Sequence, residues 1–249
     1  MGHDPQRPAT AGGRAILTPE LVFERGRTTV TWHRSALYVR CGSDGILLDA
    51  PPGIENRLSE EQLGRLRAVI VSSGRTQSIG GLIGLLGALE PYRGTAPLDV
   101  HTPAGEERSA LLAGTWVRGW PNRYPVVVDT HMPGDAYELG PFVVTSHSVP
   151  HAEPRWSERP FAERAVGVAL DVVSADARMA WVVGAGPSST IPRLCAQSDL
   201  AVVEVGVTPW PRSEQRWRLS IADAMGAAGP RTELWLVGDD GSVRSAADA

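Results

Sequence analysis

Short apolar runs separated by polar turns dominate the chain and predict a protein rich in buried strands. The clearest run is 68–71, Ala-Val-Ile-Val, whose mostly β-branched side chains are typical of a strand covered on both faces. The next apolar positions are Ile79, Leu82, Ile83 and Leu86. Their helical spacing predicts a helix that packs its apolar stripe back on the sheet. A strand, a turn at its carboxyl end and a helix form the place where α/β proteins carry out chemistry.

The same pattern continues on both sides of this stretch. Strands are predicted at 28–32, 36–41, 46–50, 98–101, 142–146, 166–171, 179–183, 200–204 and 233–237. Ser59 and Gln62 have the capping-box spacing, which predicts a short helix to about residue 64. Alternating strands and helices over this length are typical of an α/β protein.

Composition is that of an ordinary soluble domain. With 249 residues, 42% of them hydrophobic and 21% charged, we expect one domain over 15–241, with tails at 1–14 and 242–249. A net charge of −4 disfavours sequence-independent nucleic-acid binding. Cys41 and Cys195 lie in apolar runs and are expected to be buried free thiols. No run reaches membrane-spanning length, so the cytoplasm is the expected location.

Three motifs occur in a characteristic order. They are Ile79-Gly80-Gly81-Leu82, His147-Ser148-Val149-Pro150 and Gly184-Ala185-Gly186-Pro187. In this order they resemble the metallo-β-lactamase superfamily, specifically its ribonuclease Z-like branch. The resemblance implies a four-layer αββα sandwich in which the first motif follows a cluster of metal ligands.

The metal-ligand positions of that family are almost all changed here. By the resemblance, six of the seven are Ser73, Arg75, Gln77, Ser78, Ala185 and Asp239, and only His147 is retained. Zinc needs imidazole, thiolate or carboxylate donors, and a guanidinium has no lone pair to give. Arg75 therefore places a cation where a metal ion would lie. We expect no metal and no other cofactor.

The resemblance therefore suggests a non-hydrolytic pseudoenzyme that binds an anionic small molecule or a partner protein. The candidate ligand-binding residues are Ser73, Arg75, Gln77, Ser78, His147, His151, Arg218 and Asp239. Two guanidiniums among hydroxyl groups suit a phosphate or a carboxylate. Alternatively, Arg75 pairs with Asp239 or Glu204 and fills the cavity. Asp49 is expected to accept hydrogen bonds from turn amides.

Two other functions stay open at this point. An enzyme could use His147 as general base, with Arg75 and Arg218 stabilising an anion, or could rebuild a single-metal site from His147, His151 and Asp239. An interaction subunit could pair with itself or with an intact homologue. The Trp-rich segments 116–124 and 210–217 could form such an interface, stack a planar ligand or pack in the core.

Overall fold

A computed structural model describes residues 21–104, 114–115, 124–150, 166–207, 218–238 and 242–248. Several of the sequence predictions lie outside these residues. They concern the tail at 1–14, most of segment 116–124, segment 210–217, His151 and Asp239.

Two mixed seven-stranded sheets form the centre of the molecule. The strands of the first sheet, in spatial order, are β1 (Val22–Arg25), β2 (Thr28–Trp32), β3 (Leu37–Cys41), β4 (Asp44–Leu48), β5 (Leu66–Ile70), β6 (Leu98–Pro103) and β7 (Val126–His131). Those of the second are β8 (Ala136–Leu139), β9 (Phe142–Pro150), β10 (Val166–Val173), β11 (Arg178–Val182), β12 (Leu200–Val205), β13 (Glu233–Gly238) and β14 (Val243–Ser245). Strands β4 to β7 and β11 to β13 are parallel.

Short helices cover the outer faces of the sheets. They are α1 (Glu60–Arg65), α2 (Thr76–Ile79), α3 (Leu82–Arg93), α4 (Thr190–Ala196) and α5 (Ile221–Ala227), with 3-10 turns at Ile54–Asn56 and Ala246–Asp248. The predicted capping box of α1 is confirmed, because the Gln62 amide donates to the Ser59 hydroxyl and the Ser59 amide donates to the Gln62 side chain. Satisfying both end groups in this way stabilises a helix of only six residues.

Three apolar clusters divide the molecule into layers. The central cluster lies between the sheets and includes Trp32, Trp181 and Trp235. A second cluster packs α1 and α3 on the first sheet, and a third packs α4 and α5 on the second. This order of helix, sheet, sheet and helix confirms the αββα sandwich.

Two details differ from the sequence prediction. Gly80 and Gly81 break the predicted helix into α2 and α3, so the buried stripe of α3 continues through Leu85 and Leu89 while Ile83 is exposed. Within the segment 242–249, predicted as a tail, β14 pairs antiparallel with β13. Both cysteines are buried and free, as predicted. None of the helices in the described residues has the length and hydrophobicity to span a bilayer.

Candidate functional site

The loop after β4 turns at Asp49, a buried residue with a left-handed φ of 63°. The Ser72 amide donates to Asp49 Oδ1 at 2.7 Å, and the Ser72 hydroxyl donates to Oδ2 at 2.7 Å. Trp181 of the other sheet donates its Nε1–H to Oδ2 at 3.2 Å. Asp49 therefore bonds a turn amide, as predicted, and also links the two sheets.

The charge state of Asp49 is sensitive to pH near neutrality. Burial raises the pKa of this carboxyl to about 7, while the hydrogen bonds from Ser72 and the positive charge of Arg75 act in the opposite direction. A carboxyl group in this range gains or loses its proton as the pH passes through neutrality.

The glycine pair of the Ile-Gly-Gly-Leu motif packs directly on the loop that follows Asp49. The Gly81 amide donates to the Ala50 carbonyl at 2.8 Å, and the Ala50 amide donates to the Ser78 carbonyl at 2.7 Å. A Cβ at residue 81 would lie 2.0 Å from the Pro51 carbonyl oxygen. Only glycine allows this approach, so the motif fixes α2 against the loop whether or not metal ligands precede it.

Ser73 and Ser78 face each other in the turn between β5 and α2. Their hydroxyl oxygens are 3.0 Å apart, and both residues are buried. The Arg75 amide donates to the Ser73 hydroxyl at 3.4 Å. The two serines thus hold the turn closed and aim the Arg75 side chain at the second sheet.

Arg75 makes a two-pronged ion pair with Glu204 of β12. Its Nη1 donates to Oε1 at 3.1 Å and its Nη2 to Oε2 at 2.7 Å, and each side chain is only 10% exposed. The Gly184 amide donates to the same Oε2 at 3.1 Å. Parallel hydrogen bonds between a guanidinium and a carboxylate are among the strongest that side chains form. This contact joins the edges of the two sheets.

Gly184 provides the space that the guanidinium needs. Its φ is 70°, and a Cβ there would lie 3.1 Å from Arg75 Cζ. Glycine is favoured both by this backbone conformation and by the close approach. The neighbouring Ala185 is buried in the outer cluster of the second sheet.

His147 lies on the other face of the second sheet from Glu204. It pairs with Ala169, which belongs to the cluster under α4 and α5, whereas the adjacent Ser146 pairs with Leu170 of the central cluster. Its pKa is lowered by burial, and the nearby charges are Asp171, Arg193 and Arg178. The structure therefore does not bring His147 to Arg75.

The remaining candidates are placed as follows. Gln77 is exposed on α2. Arg218 lies against Gly206, just beyond the end of β12, with its Cδ 3.2 Å from where a Cβ of residue 206 would be. His151 and Asp239 are outside the described residues. The structure thus brings together Ser73, Arg75 and Ser78, and it adds Asp49, Ser72 and Glu204, none of which the sequence identified as a ligand-binding residue.

The described residues at this edge, Asp49, Ser73, Arg75, Ser78 and Glu204, do not form a dinuclear metal site. Over the described ranges, no cluster of three or more His, Cys, Asp or Glu side chains could hold a metal ion. Both Asp49 oxygens accept from Ser72 or Trp181, and both Glu204 oxygens accept from Arg75. A cationic guanidinium between them repels a metal ion and offers it no donor.

The metallo-β-lactamase fold consists of two sheets between helical layers, with loops meeting at one edge of the sandwich. Comparison with solved structures shows that this chain has that fold. It is similar to human tRNase Z, short form, with a TM-score of 0.62 and 16% identity over 82% of this chain and 86% of that one. YhfI, a metallo-β-lactamase-fold protein from Bacillus subtilis, also gives 0.62, with 14% identity over 81% and 76% of the chains.

A third similar structure is zinc-bound PqqB from Methylobacterium extorquens, with a TM-score of 0.57 and 17% identity over 75% of this chain and 68% of that one. No protein-family model and no curated protein sequence matches the chain. At these identities the comparisons establish the fold alone.

Proposed function

We propose that this protein is a metallo-β-lactamase-fold protein that binds rather than hydrolyses, and that the Arg75–Glu204 ion pair replaces the metal centre of the fold. The observation that carries this proposal is the two-pronged contact between these side chains at the edge of the sheets. In metallohydrolases the metal ion generates hydroxide at neutral pH and polarises the scissile bond. A guanidinium neutralised by a carboxylate does neither.

The ion pair also disfavours the anionic ligand that the sequence predicts at Arg75. An anion binding there would have to displace Glu204 from both terminal nitrogens of the guanidinium. A buried pair resists this, because separating it leaves a carboxylate without its counter-charge. The alternative in which Arg75 pairs with Glu204 and fills the cavity is therefore favoured over an anion site at Arg75. We propose that any ligand binds elsewhere. Binding to a second copy or to an intact homologue stays a prediction. Light scattering of the purified protein would test the first, because it gives the mass of the particle in solution.

The alternative of an enzyme that works without metal gains no support from the geometry. A general base must reach the same substrate as the anion-stabilising groups. His147 faces the layer of α4 and α5, whereas Arg75 faces Glu204 on the inner side of the sheet. A rebuilt single-metal site would depend on His151 and Asp239, which lie outside the described residues.

Elemental analysis and a hydrolysis assay together test the proposal. Protein produced in zinc-supplemented medium and purified without chelators should carry far less than one metal ion per chain. It should hydrolyse bis(4-nitrophenyl) phosphate no faster than buffer does. One or two tightly held zinc ions per chain, with hydrolysis that a chelator abolishes, would overturn it.

A further inference from the structure

A polar cavity of about 300 Å³ opens on the outer face of the first sheet, between β2, β3 and α1. Strand pairing places Thr31 beside Tyr38 and Thr29 beside Arg40, so these four side chains share one face of the sheet. Arg57 and Arg65 approach from the segment that contains α1. The cavity is thus built from three parts of the chain that only the fold brings together.

Positive charge is in excess in this cavity. Its lining contains three arginines, Arg40, Arg57 and Arg65, and one carboxylate, Glu61. Glu61 is exposed and pairs with Arg65 at 3.0 Å, and Arg40 donates to the Thr29 hydroxyl at 3.0 Å. The backbone amide of Arg57 donates to the Ile54 carbonyl at 2.9 Å, whereas its side chain has neither an ion pair nor a hydrogen bond within the part of the chain described here. Two guanidinium charges therefore remain without a compensating carboxylate in the lining.

Tyr38 forms part of the cavity wall, but its hydroxyl group does not face the cavity. Tyr38 is 2% exposed, and its Oη is buried, with no hydrogen-bond partner among the described residues. The hydroxyl lies over Gly45 of β4, where a Cβ would be only 2.1 Å from it, and Gly45 does not line the cavity. Burial raises the pKa of this phenol; the charges of Arg65 and Arg40 act against the rise, and those of Glu61 and Asp44 add to it. The donors that a ligand in the cavity can reach are therefore the arginines.

We propose that this cavity binds a small phosphate monoester, with the Arg57 and Arg40 guanidiniums contacting the phosphate group. A dianion matches the two uncompensated charges, and guanidinium donors suit phosphate oxygens. A volume of about 300 Å³ is roughly ten times that of one water molecule, so there is room for more than a bare phosphate. It is also near the lower limit for ligand pockets, which indicates a small ligand.

Binding at this cavity is independent of the Arg75–Glu204 region. Neither residue lines the cavity, which lies on the outer side of the first sheet, whereas the ion pair lies at the inner edge. The absence of phosphate binding would therefore leave the proposed replacement of the metal centre untouched. Conversely, bound zinc would not remove the cavity.

Calorimetric titration with inorganic phosphate and with ribose 5-phosphate tests the proposal, with ribose and succinate as comparison ligands. We expect saturable binding of both phosphates, the ester being tighter, and no binding of ribose. Arg57→Gln should weaken phosphate binding about tenfold or more, because it removes a charge-assisted hydrogen bond. Arg231→Gln, an exposed arginine in the other half of the molecule with the same charge change, should leave affinity unchanged.

Tyr38→Phe is a control within the wall of the cavity. Because the hydroxyl has no partner in the described residues, its removal should leave the melting temperature of the ligand-free protein unchanged or higher. It should also leave the affinity for ribose 5-phosphate unchanged, because the hydroxyl oxygen is buried outside the reach of a ligand. The proposal is overturned if neither phosphate binds at millimolar concentration, if succinate binds as tightly as phosphate, or if Arg57→Gln and Arg231→Gln have equal effects.

Discussion

Arginine occurs in two contrasting settings in this protein. At the edge of the sandwich, Arg75 is 10% exposed and both terminal nitrogens donate to Glu204. In the cavity on the first sheet, Arg40, Arg57 and Arg65 are half-buried around an open space, with the exposed Glu61 as the one carboxylate of the lining. The same side chain thus closes one region and leaves the other able to accept an anion.

The difference between these settings is one of charge compensation. A guanidinium out of water needs a counter-charge and hydrogen-bond acceptors, and Glu204 supplies both to Arg75. Half-buried guanidiniums keep much of their hydration, so they can remain partly uncompensated until a ligand arrives. Variants of the two regions should therefore differ sharply in their effect on stability.

The largest expected effect comes from Glu204→Gln. Removing the carboxylate takes from the buried Arg75 guanidinium the counter-charge that both of its terminal nitrogens contact, which should lower the free energy of unfolding by about 3–5 kcal/mol. Urea denaturation measures the loss. Arg57→Gln, the matched change in the cavity, should alter stability by no more than about 0.5 kcal/mol.

A double variant checks the cause of that loss. Arg75→Met combined with Glu204→Leu removes both charges, so it should be close to wild type in stability and clearly above Glu204→Gln. A Glu204→Gln protein that unfolds at the wild-type urea concentration would contradict a buried, strongly coupled pair.

The next effect is a pH dependence of stability that arises from the Asp49 carboxyl group. Its folded-state pKa of about 7 is above the ordinary 3.8, so the folded protein binds this proton more tightly than the unfolded chain does. The stability from Asp49 is therefore fully present below about pH 4 and is lost as the pH rises through 7, by up to about 4 kcal/mol.

Asp49→Asn removes this titration. As the pH rises from about 4 to 8, wild type should lose stability relative to Asp49→Asn. Denaturation curves across that range measure it, with Glu24→Gln, an exposed carboxyl on β1, as control. Parallel pH profiles for wild type and Asp49→Asn would contradict the raised pKa.

A smaller effect is expected at the cavity. Gly45→Ala introduces a Cβ 2.1 Å from the Tyr38 hydroxyl, so the ring must shift and stability should fall by about 1–3 kcal/mol. Combining it with Tyr38→Phe should recover part of the loss, because the clashing oxygen is gone. Thermal unfolding of the three variants measures this, and equal losses with and without the hydroxyl would argue against the contact.

The sequence predicted the main strands and the capping box of α1, because β-branched runs and the spacing of Ser59 and Gln62 have local causes. It also raised the pairing of Arg75 with Glu204 as one alternative. The sequence could not show which alternative holds, since the two residues are 129 positions apart and meet only when the sheets stack. The break at Gly80 and Gly81 changed which α3 residues are buried, and a continuous helical spacing does not reveal it.

Two further features could not be predicted from the sequence. The cavity arginines lie on β3 and around α1, and no single segment shows that they converge. The face on which His147 lies is hidden as well, because residues 142–146 are Phe-Val-Val-Thr-Ser and do not alternate between apolar and polar. Only the structure shows that Phe142, Val144 and Ser146 are buried on one face, which places His147 on the other.

The most direct test is a crystal structure of the protein grown with excess zinc, with anomalous diffraction measured at the zinc edge. The proposed replacement of the metal centre predicts no anomalous peak near Arg75, and Arg75 still paired with Glu204. A pair of zinc peaks at that edge of the sandwich, with the Arg75 side chain displaced, would contradict it.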